Sequence, residues 1–342
     1  MRLSATLSYA NSPQETIAQA VEWERAGVEI LWVAEAYGFD APTLMGYLAA
    51  KTERAEIGSA ILPIFSRTPA LLAQTAAGLD AVSGGRAILG LGASGPQVIE
   101  GWHGVAYDRP LARTREVIDI CRRAWRREVI THDGIYQMPL RPGTGTGLGK
   151  PLKMLTRPVR NRIPIYVAAL GDQNVRLTAE IADGWMPTLF IPERAGEVWG
   201  EPLSAGRAKR SPELGPLEVV AGGPLAIGDG IESFRELVRP YIALYVGGMG
   251  ARGRNFYNDL ARRYGYVGEA ELVQDLYLAG RKEEAAAAVP EEMVELTTLI
   301  GSADHVRDRV AAYAAAGVTI LNVNPVGPEP GKDLAQLRAM LA

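Results

Sequence analysis

The sequence predicts a (β/α)8 barrel, the TIM barrel, formed by one domain that spans residues 1–342. Eight short apolar runs alternate with stretches of helical periodicity, as expected for parallel strands that are covered by helices. One unit also recurs, because residues 26–33 (AGVEILWV) and 316–323 (AGVTILNV) agree at six of eight positions. Such repetition indicates a single helix–glycine–strand unit used several times. Eight strand–helix units in one chain of this length favour the barrel.

The predicted strands are apolar segments that begin and end at turn or helix-capping signals. A serine or threonine followed by proline opens two of the intervening helices, at Ser12 and Thr68. Two segments interrupt the repeat: residues 139–163 are rich in Gly and Pro and are predicted to form a lid-like loop, and residues 228–295 are predicted to form a helical insertion. The eight predicted strands are residues 3–7, 28–33, 57–62, 87–91, 163–170, 183–188, 217–227 and 318–323.

A G-x-G-x-x-G sequence at residues 90–95 raises the alternative of a dinucleotide-binding fold. In a doubly wound sheet this fingerprint follows the first strand, and a helix begins within it. Here it follows the fourth predicted strand, and Pro96 is expected to obstruct such a helix. The barrel is therefore favoured, and the small side chains of residues 92–95 predict that a ligand approaches the backbone closely.

Composition excludes several classes of function. The formal net charge of −3 gives no reason to expect nucleic acid or an anionic membrane surface as a partner. The single cysteine, Cys121, cannot form an intramolecular disulfide, and His103, His132 and His305 are too scattered to predict a metal site. Without an apolar run of about 20 residues or a signal-peptide pattern, the chain is expected to be cytoplasmic with no membrane span.

The predicted carboxyl ends of the strands carry little catalytic machinery. They offer apolar walls, hydroxyl groups, backbone N–H groups and one acid, Glu35. This composition suits a site where a bound organic cofactor carries the reaction and the protein supplies position and electrostatics. The same composition also fits a barrel that binds a ligand without turnover.

Four segments resemble the luciferase-like monooxygenase superfamily. They are residues 57–69 (IGSAILPIFSRTP), 79–92 (LDAVSGGRAILGLG), 165–171 (IYVAALG) and 182–185 (ADGW). Within that superfamily, the chain is more similar to the oxidoreductases that use coenzyme F420, a deazaflavin. The resemblance implies a bacterial-luciferase-like TIM barrel with insertions.

The resemblance also implies where the cofactor lies. A non-prolyl cis peptide near Ser59, Ala60 and Ile61 would back the deazaflavin ring, and backbone N–H groups at a helix start would bind phosphate. The other cofactor-binding positions that it implies are Ser94, Gly95, Gln97, Ala168, Ala169, Leu170, Gly171, Gly184 and Thr188.

The source of a catalytic proton is less defined. Glu35 takes the place of a family acid near the ring, whereas Gly95 stands where some relatives have an acidic proton donor. This leaves Glu35, or a group on the substrate, as the expected donor. His103 is a second catalytic candidate, in a loop near the same rim, although a surface loop histidine is the alternative interpretation.

The resemblance extends over most of residues 1–190 and 300–325, and it predicts an F420-dependent oxidoreductase. The expected reaction is hydride transfer between C5 of the deazaflavin and a small organic substrate, in a homodimeric enzyme. An FMN-dependent luciferase-like monooxygenase is the alternative, and a non-catalytic flavin- or ligand-binding barrel is the third interpretation. The identity of the substrate is not predicted.

Overall fold

A computed structural model describes residues 1–8 and 12–341 of the chain. Eight parallel strand positions close into a barrel, which confirms the predicted fold class. The strands are β1 (Arg2–Leu7), β2 (Ile30–Val33), β3 (Glu56–Ser59), β4 (Leu62–Pro63), β5 (Ala87–Gly92), β6 (His132–Asp133), β7 (Gln137–Met138), β8 (Ile165–Ala168), β9 (Gly184–Met186), β10 (Glu218–Ile227), β11 (Leu299–Gly301) and β12 (Ile320–Pro325).

Parallel pairing runs around the barrel without a break. It leads from β1 through β2, β3, β5, β8, β9 and β10 to β12, which pairs again with β1. β4 continues the position of β3 by pairing with β5, while β6 and β7 form a separate hairpin. β11, which was not predicted, pairs with the carboxyl end of β10. Its three residues are too few to show a periodicity in the sequence.

Helices cover the outer face of the barrel and form the insertion before β11. They are α1 (Pro13–Arg25), α2 (Ala41–Lys51), α3 (Pro69–Val82), α4 (Pro96–Gly101), α5 (Pro110–Trp125), α6 (Asp172–Ile181), α7 (Ala195–Arg207), α8 (Arg239–Ala243), α9 (Phe256–Arg263), α10 (Val267–Leu278), α11 (Lys282–Ala287), α12 (Glu291–Leu296), α13 (Ala303–Ala315) and α14 (Pro330–Met340). None of these helices, over the ranges described, is both long and apolar enough to cross a bilayer.

The expected effect of Pro96 was wrong, because α4 starts at that residue instead of being blocked by it. Proline is favoured at the first helical position, where its missing N–H would have no partner within the helix. The helix is short and begins after the glycine sequence, so the G-x-G-x-x-G match remains unrelated to a dinucleotide fold.

The two segments outside the repeat differ in regularity. Residues 232–296 contain α-helices together with a 3-10 helix and a π-helix, whereas residues 139–163 contain no helix or named strand. Leu152 forms an isolated bridge with Ile130, and Arg160 forms an ion pair with the fully buried Asp80. These contacts attach the segment to the barrel wall, and its role as a lid stays a prediction.

The amino end of the barrel is closed by side chains. Arg2 forms an ion pair with Glu56, and the Tyr166 hydroxyl donates a hydrogen bond to Glu218. Above them, Ile30, Trp32, Ile88, Tyr166, Val220 and Ile320 form a buried cluster inside the barrel. A ligand can therefore enter only from the carboxyl ends of the strands, which is where barrel enzymes place their sites.

Glu24, near the end of α1, holds the turn that leads into β3. Its carboxylate accepts hydrogen bonds from the backbone N–H groups of Glu53, Arg54 and Ala55 at distances of 2.7 to 3.2 Å. Burial by itself favours the protonated acid, but these three donors outweigh it and hold the pKa of the Glu24 carboxyl below its ordinary value.

The substitution Glu24→Gln is expected to lower the free energy of unfolding by about 1–3 kcal/mol at neutral pH, because one oxygen acceptor becomes an N–H donor facing N–H groups. Since the folded-state pKa is depressed, this stabilisation is present above the unfolded-state pKa and is lost as the pH falls through the folded-state value. Urea denaturation at pH 7 and pH 3 measures both effects.

The matched control is Glu22→Gln, an exposed position on the same helix, which should leave the stability unchanged. A Glu24→Gln protein whose stability deficit stays the same at both pH values would contradict the proposed role of the carboxylate.

Candidate cofactor site at the carboxyl ends of the strands

A bulge between β3 and β4 lies at the rim of the barrel. The Ala60–Ile61 peptide is cis, which confirms the non-prolyl cis bond expected at this place. Ala60 packs against the buried interior cluster, and Ile61 lies over Gly92 of β5. A Cβ atom on Gly92 would be 2.9 Å from the Ile61 side chain, so the glycine makes room for the bulge.

The Ser59 side chain is engaged within the barrel wall, and its predicted place in the cofactor site stays a prediction. The residue is fully buried, and its hydroxyl donates to the Gly90 carbonyl at 2.8 Å and accepts from the Gly90 N–H at 2.9 Å. Ser59 therefore joins β3 to β5 beneath the bulge, and only Ala60 and Ile61 remain partly exposed.

Glu35 follows β2 and is held as an ion pair with Arg67. The Arg67 guanidinium contacts both carboxylate oxygens, at 2.5 and 2.8 Å, and the Ala41 N–H adds a bond of 2.8 Å at the start of α2. The Glu35 side chain is only 6% exposed. Because Arg67 and the Ala41 N–H contact both carboxylate oxygens, Glu35 joins two loops of the rim. The catalytic assignment of Glu35 stays a prediction.

The segment after β5 shapes a second part of the rim. Ser94 has a positive φ of 60°, and its carbonyl accepts a hydrogen bond of 3.4 Å from the Tyr107 hydroxyl. The Tyr107 ring stacks on Phe65, with a centroid distance of 5.0 Å. Gly95 is the N-cap of α4, and Gln97 is exposed in its first turn. Ser94, Gly95 and Gln97 thus lie at the rim, and their contacts with a cofactor stay predictions.

His103 lies just beyond α4 in the same segment. Its Nε2 atom is buried and has no hydrogen-bond partner among the residues that the structure describes. Its backbone N–H donates to the Val98 carbonyl at 3.2 Å, which closes the end of the short helix. A buried nitrogen without a partner is the feature expected of a group that meets a ligand, and the catalytic role of His103 stays a prediction.

The loop between β8 and α6 offers an anion site. Gly171 is the N-cap of α6 and makes no side-chain capping bond, so the first N–H groups of the helix lack intrahelical acceptors. Two indole N–H groups hold the loop: Trp185 donates to the Ala169 carbonyl at 2.9 Å, and Trp199 donates to the Leu170 carbonyl at 3.0 Å. Ala168 is the last residue of β8, so all four predicted positions lie together at the rim.

A cation from the insertion reaches the same helix start. The Arg263 guanidinium contacts the Asp172 carboxylate at 2.6 Å and lies 3.5 Å from the Leu170 carbonyl. Its positive charge adds to the positive end of the helix dipole. Sequence reasoning missed Arg263, because its distance along the chain from α6 gives no local signal.

Gly184 packs against an aromatic ring inside the barrel. It opens β9, two residues below the rim, and is buried beneath the Tyr166 ring. A Cβ atom at this position would be 2.6 Å from Cδ2 of Tyr166, so the glycine provides space for that ring, and its predicted role in an anion pocket stays a prediction. Thr188 lies beyond the end of β9 at Met186, on the rim side, and is half-buried.

Three further polar groups inside the upper barrel were not predicted. The Asn322 amide donates to the Thr6 hydroxyl at 3.1 Å, and the Trp32 Nε1 atom is buried without a hydrogen-bond partner in the described chain. Polar residues at every second position of otherwise apolar strands, such as Ser4 and Thr6 in β1, were the available signal.

Within residues 1–8 and 12–341, no group of three or more His, Cys, Asp and Glu side chains has the arrangement of a metal site. A cavity of about 570 Å³ lies instead on the outside of the barrel, between α7 and α13, where Trp185, Phe190 and Ala312 line it. Trp185 alternates with the inward-facing neighbours Gly184 and Met186, so this cavity is separated from the rim by the sheet.

The ion pair at the rim predicts a measurable coupling. In a double-mutant cycle of Glu35→Gln and Arg67→Met, the double variant should lose less stability than the two single variants together, by about 1–3 kcal/mol, because each single change strands a partly buried partner. The exposed pair of Arg307 and Asp304 is the control, with an expected coupling below about 0.5 kcal/mol. Additive losses at Glu35 and Arg67, measured by urea denaturation, would show that the pair does not form in solution.

Comparison with known proteins agrees with this geometry. The family model described as luciferase-like monooxygenase matches residues 1–319. A Mycobacterium tuberculosis protein named "Putative coenzyme F420-dependent oxidoreductase Rv3520c" is 42% identical over 98% of this chain and 99% of its own length. The 5,10-methylenetetrahydromethanopterin reductase of Archaeoglobus fulgidus is 27% identical over 91% of this chain and 90% of its own.

A solved structure shows the same fold. The coenzyme F420-dependent tetrahydromethanopterin reductase from Methanopyrus kandleri superposes with a TM-score of 0.78 at 23% identity, over 98% of this chain and 96% of that one. Together with the family match and the relative at 42% identity, these findings identify the protein as a member of the luciferase-like monooxygenase family, related within it to F420-dependent oxidoreductases.

Proposed function

We propose that the protein binds coenzyme F420 and transfers a hydride between C5 of the deazaflavin and a small organic substrate. The observation that carries the proposal is the position of the cis bulge at Ala60 and Ile61, on the same rim as the open start of α6. A deazaflavin cofactor has a flat ring joined to a phosphate, and the rim offers one surface suited to each.

The proposed position of the deazaflavin ring is supported by a flat apolar surface at the rim, which we call the bed. Ala60, Ile61, Gly92, Ala168 and Met186 are small or apolar and provide a surface on which a planar ring can lie. The Trp32 Nε1 atom, buried beneath this bed without a partner in the described residues, is an unused hydrogen-bond donor that a polar ring edge would satisfy. These residues fit a deazaflavin.

The phosphate position is supported by charge and by free donors. The N–H groups at the start of α6 favour an anion, and the Arg263 guanidinium offsets the negative charge of Asp172, its ion-pair partner at the same helix start. When bound, the cofactor supplies the hydride-transfer chemistry, and the chain supplies position. Glu35 and Arg67 fix the loops on either side of the bulge. The side chains that fill the amino end of the barrel exclude water from below.

FMN ends in a phosphate as well, so the same cradle allows the FMN-dependent monooxygenase. The F420 proposal rests on the relatives, whose names state dependence on F420. A barrel that binds the deazaflavin without turnover would show saturable binding but no reoxidation of reduced F420 across a panel of carbonyl and imine substrates. The homodimer and the cytoplasmic location also stay predictions, and sedimentation velocity of the purified protein checks the first.

Fluorescence titration of the wild-type protein with F420 should show saturable binding. The substitution Asp172→Pro is expected to weaken that binding at least about tenfold relative to Asp172→Ala, because it removes one charge-assisted N–H donor. Gly171 has an extended ψ of 146°, which suits the residue before a proline, so the helix should be retained.

Asp172→Ala is the matched control, since both variants lose the carboxylate that pairs with Arg263 and only one loses the N–H group. Removing a negative charge beside a phosphate should leave the affinity of the control unchanged or raise it. Tight binding of FMN by the wild type, with no detectable binding of F420, would overturn the proposed function.

A further inference from the structure

A row of aromatic rings joins the insertion to the rim of the barrel. Phe65 stacks on Tyr107 at 5.0 Å, Tyr257 of α9 meets Tyr245 edge-on at 4.7 Å, and Tyr245 lies 4.5 Å from Tyr241. Tyr257 is also close enough to Tyr107 for the two phenols to interact electrostatically. We call these five residues the aromatic row. It runs from the end of β4 and β5 to the half-exposed Tyr241.

The insertion holds Tyr257 and Tyr245 in a fixed relation. The buried Asn255 side chain accepts hydrogen bonds from the Tyr257 N–H at 2.9 Å and the Asn258 N–H at 3.2 Å, and donates to the Tyr245 carbonyl at 3.0 Å. Tyr245 lies in a π-helical turn, Leu244–Gly248. Such turns are rare and occur frequently at functional sites, because they re-aim side chains.

The Tyr257 hydroxyl is available to a ligand. It forms no hydrogen bond with any residue that the structure describes, and the residue is half-buried. Burial, together with the neighbouring Tyr245 and Tyr107, raises the pKa of the Tyr257 phenol, so the hydroxyl keeps its proton at physiological pH. A phenol in this state is a hydrogen-bond donor near the mouth of the barrel.

Two described positions of the barrel at which a proton donor was considered from the sequence do not supply one. Gly95 has no side chain, and the Glu35 carboxylate is occupied by Arg67 and the Ala41 N–H. His103 stays a candidate in the segment after α4, and the insertion adds the Tyr257 hydroxyl as a second donor beside the rim.

We propose that the Tyr257 hydroxyl donates a hydrogen bond to the carbonyl oxygen of the substrate, and that the substrate is a flat, conjugated carbonyl compound. The aromatic row favours a planar molecule, because aromatic faces pack best against other flat π systems. This inference rests on the proposed function, and it assigns the insertion the part of substrate recognition.

The reaction is balanced with reduced deazaflavin as the two-electron donor. The carbonyl carbon gains a hydride, and the π electrons of the C=O bond pass to its oxygen. That oxygen takes the proton of Tyr257. The phenolate regains a proton from water, and the ring N–H proton that the deazaflavin loses on oxidation passes to water, so no net proton is consumed. The products are an alcohol and the oxidised deazaflavin.

The test uses a probe that reports hydrogen bonding directly. 4-(Dimethylamino)cinnamaldehyde is flat and conjugated, and its absorption moves to longer wavelength when its carbonyl accepts a hydrogen bond. The full-length wild-type protein, saturated with oxidised F420 to prevent turnover, is titrated with this aldehyde, and difference spectra are recorded. The wild type is expected to bind it with a red shift.

Tyr257→Phe is expected to lose the red shift and to bind the aldehyde about tenfold more weakly, the effect of one hydrogen bond, while F420 binds as in the wild type. Tyr257→Leu should weaken binding further, because the ring is also lost. Tyr266→Phe is the matched control: its hydroxyl donates to Glu292 at 2.7 Å, outside the aromatic row, so the shift should persist.

Each outcome separates the two proposals. A wild-type protein that binds F420 but gives no red shift with the aldehyde overturns the role of Tyr257, as does an equal shift in Tyr257→Phe. Unchanged F420 affinity shows that the variants are folded. Failure of the wild type to bind F420 at all overturns the proposed function instead.

Discussion

The close approach of β3 to β5 is the constraint on which the site depends. Any side chain on Gly90 would overlap the Ser59 carbonyl, and the buried Ser59 hydroxyl bonds to both backbone groups of Gly90. Two residues further along β5, on the same face of the strand, Gly92 leaves room for the Ile61 side chain. Because two glycines let the backbones meet, the chain after β3 turns out into the bulge and resumes pairing only at β4.

The site combines a rigid cradle with a chemically sparse rim. Glu35 and Arg67 fix the rim beside the bulge, and the indoles of Trp185 and Trp199 hold the loop before α6. The polar groups of the barrel thus hold the loops of the proposed cofactor site in place. The proposed contact with the substrate comes from the Tyr257 phenol of the insertion. This division follows the general pattern of cofactor enzymes, in which the protein orients and the cofactor reacts.

Much of the fold could be predicted from the sequence, since apolar runs, serine or threonine N-caps followed by proline, and glycines at helix ends are local signals. The paired segments at residues 26–33 and 316–323 disclosed the repeat, and the position of the G-x-G-x-x-G excluded the dinucleotide fold. The sequence did not show that Ser59 and Gly184 have packing roles, because a small residue can make room for a ligand or for a neighbouring side chain. At Gly184 that neighbour is the Tyr166 ring, which lies on another strand.

By itself, the sequence determined the barrel, the order of its units and the rim segments at residues 59–61, 94–97 and 168–171, because each depends on residues near one another in the chain. Only the tertiary structure decided that Glu35 is paired with Arg67, that Arg263 reaches α6 and that Tyr257 reaches the rim. These contacts join residues far apart in the chain. Their geometry is set by packing of the insertion against the barrel, for which local sequence carries no periodic signal.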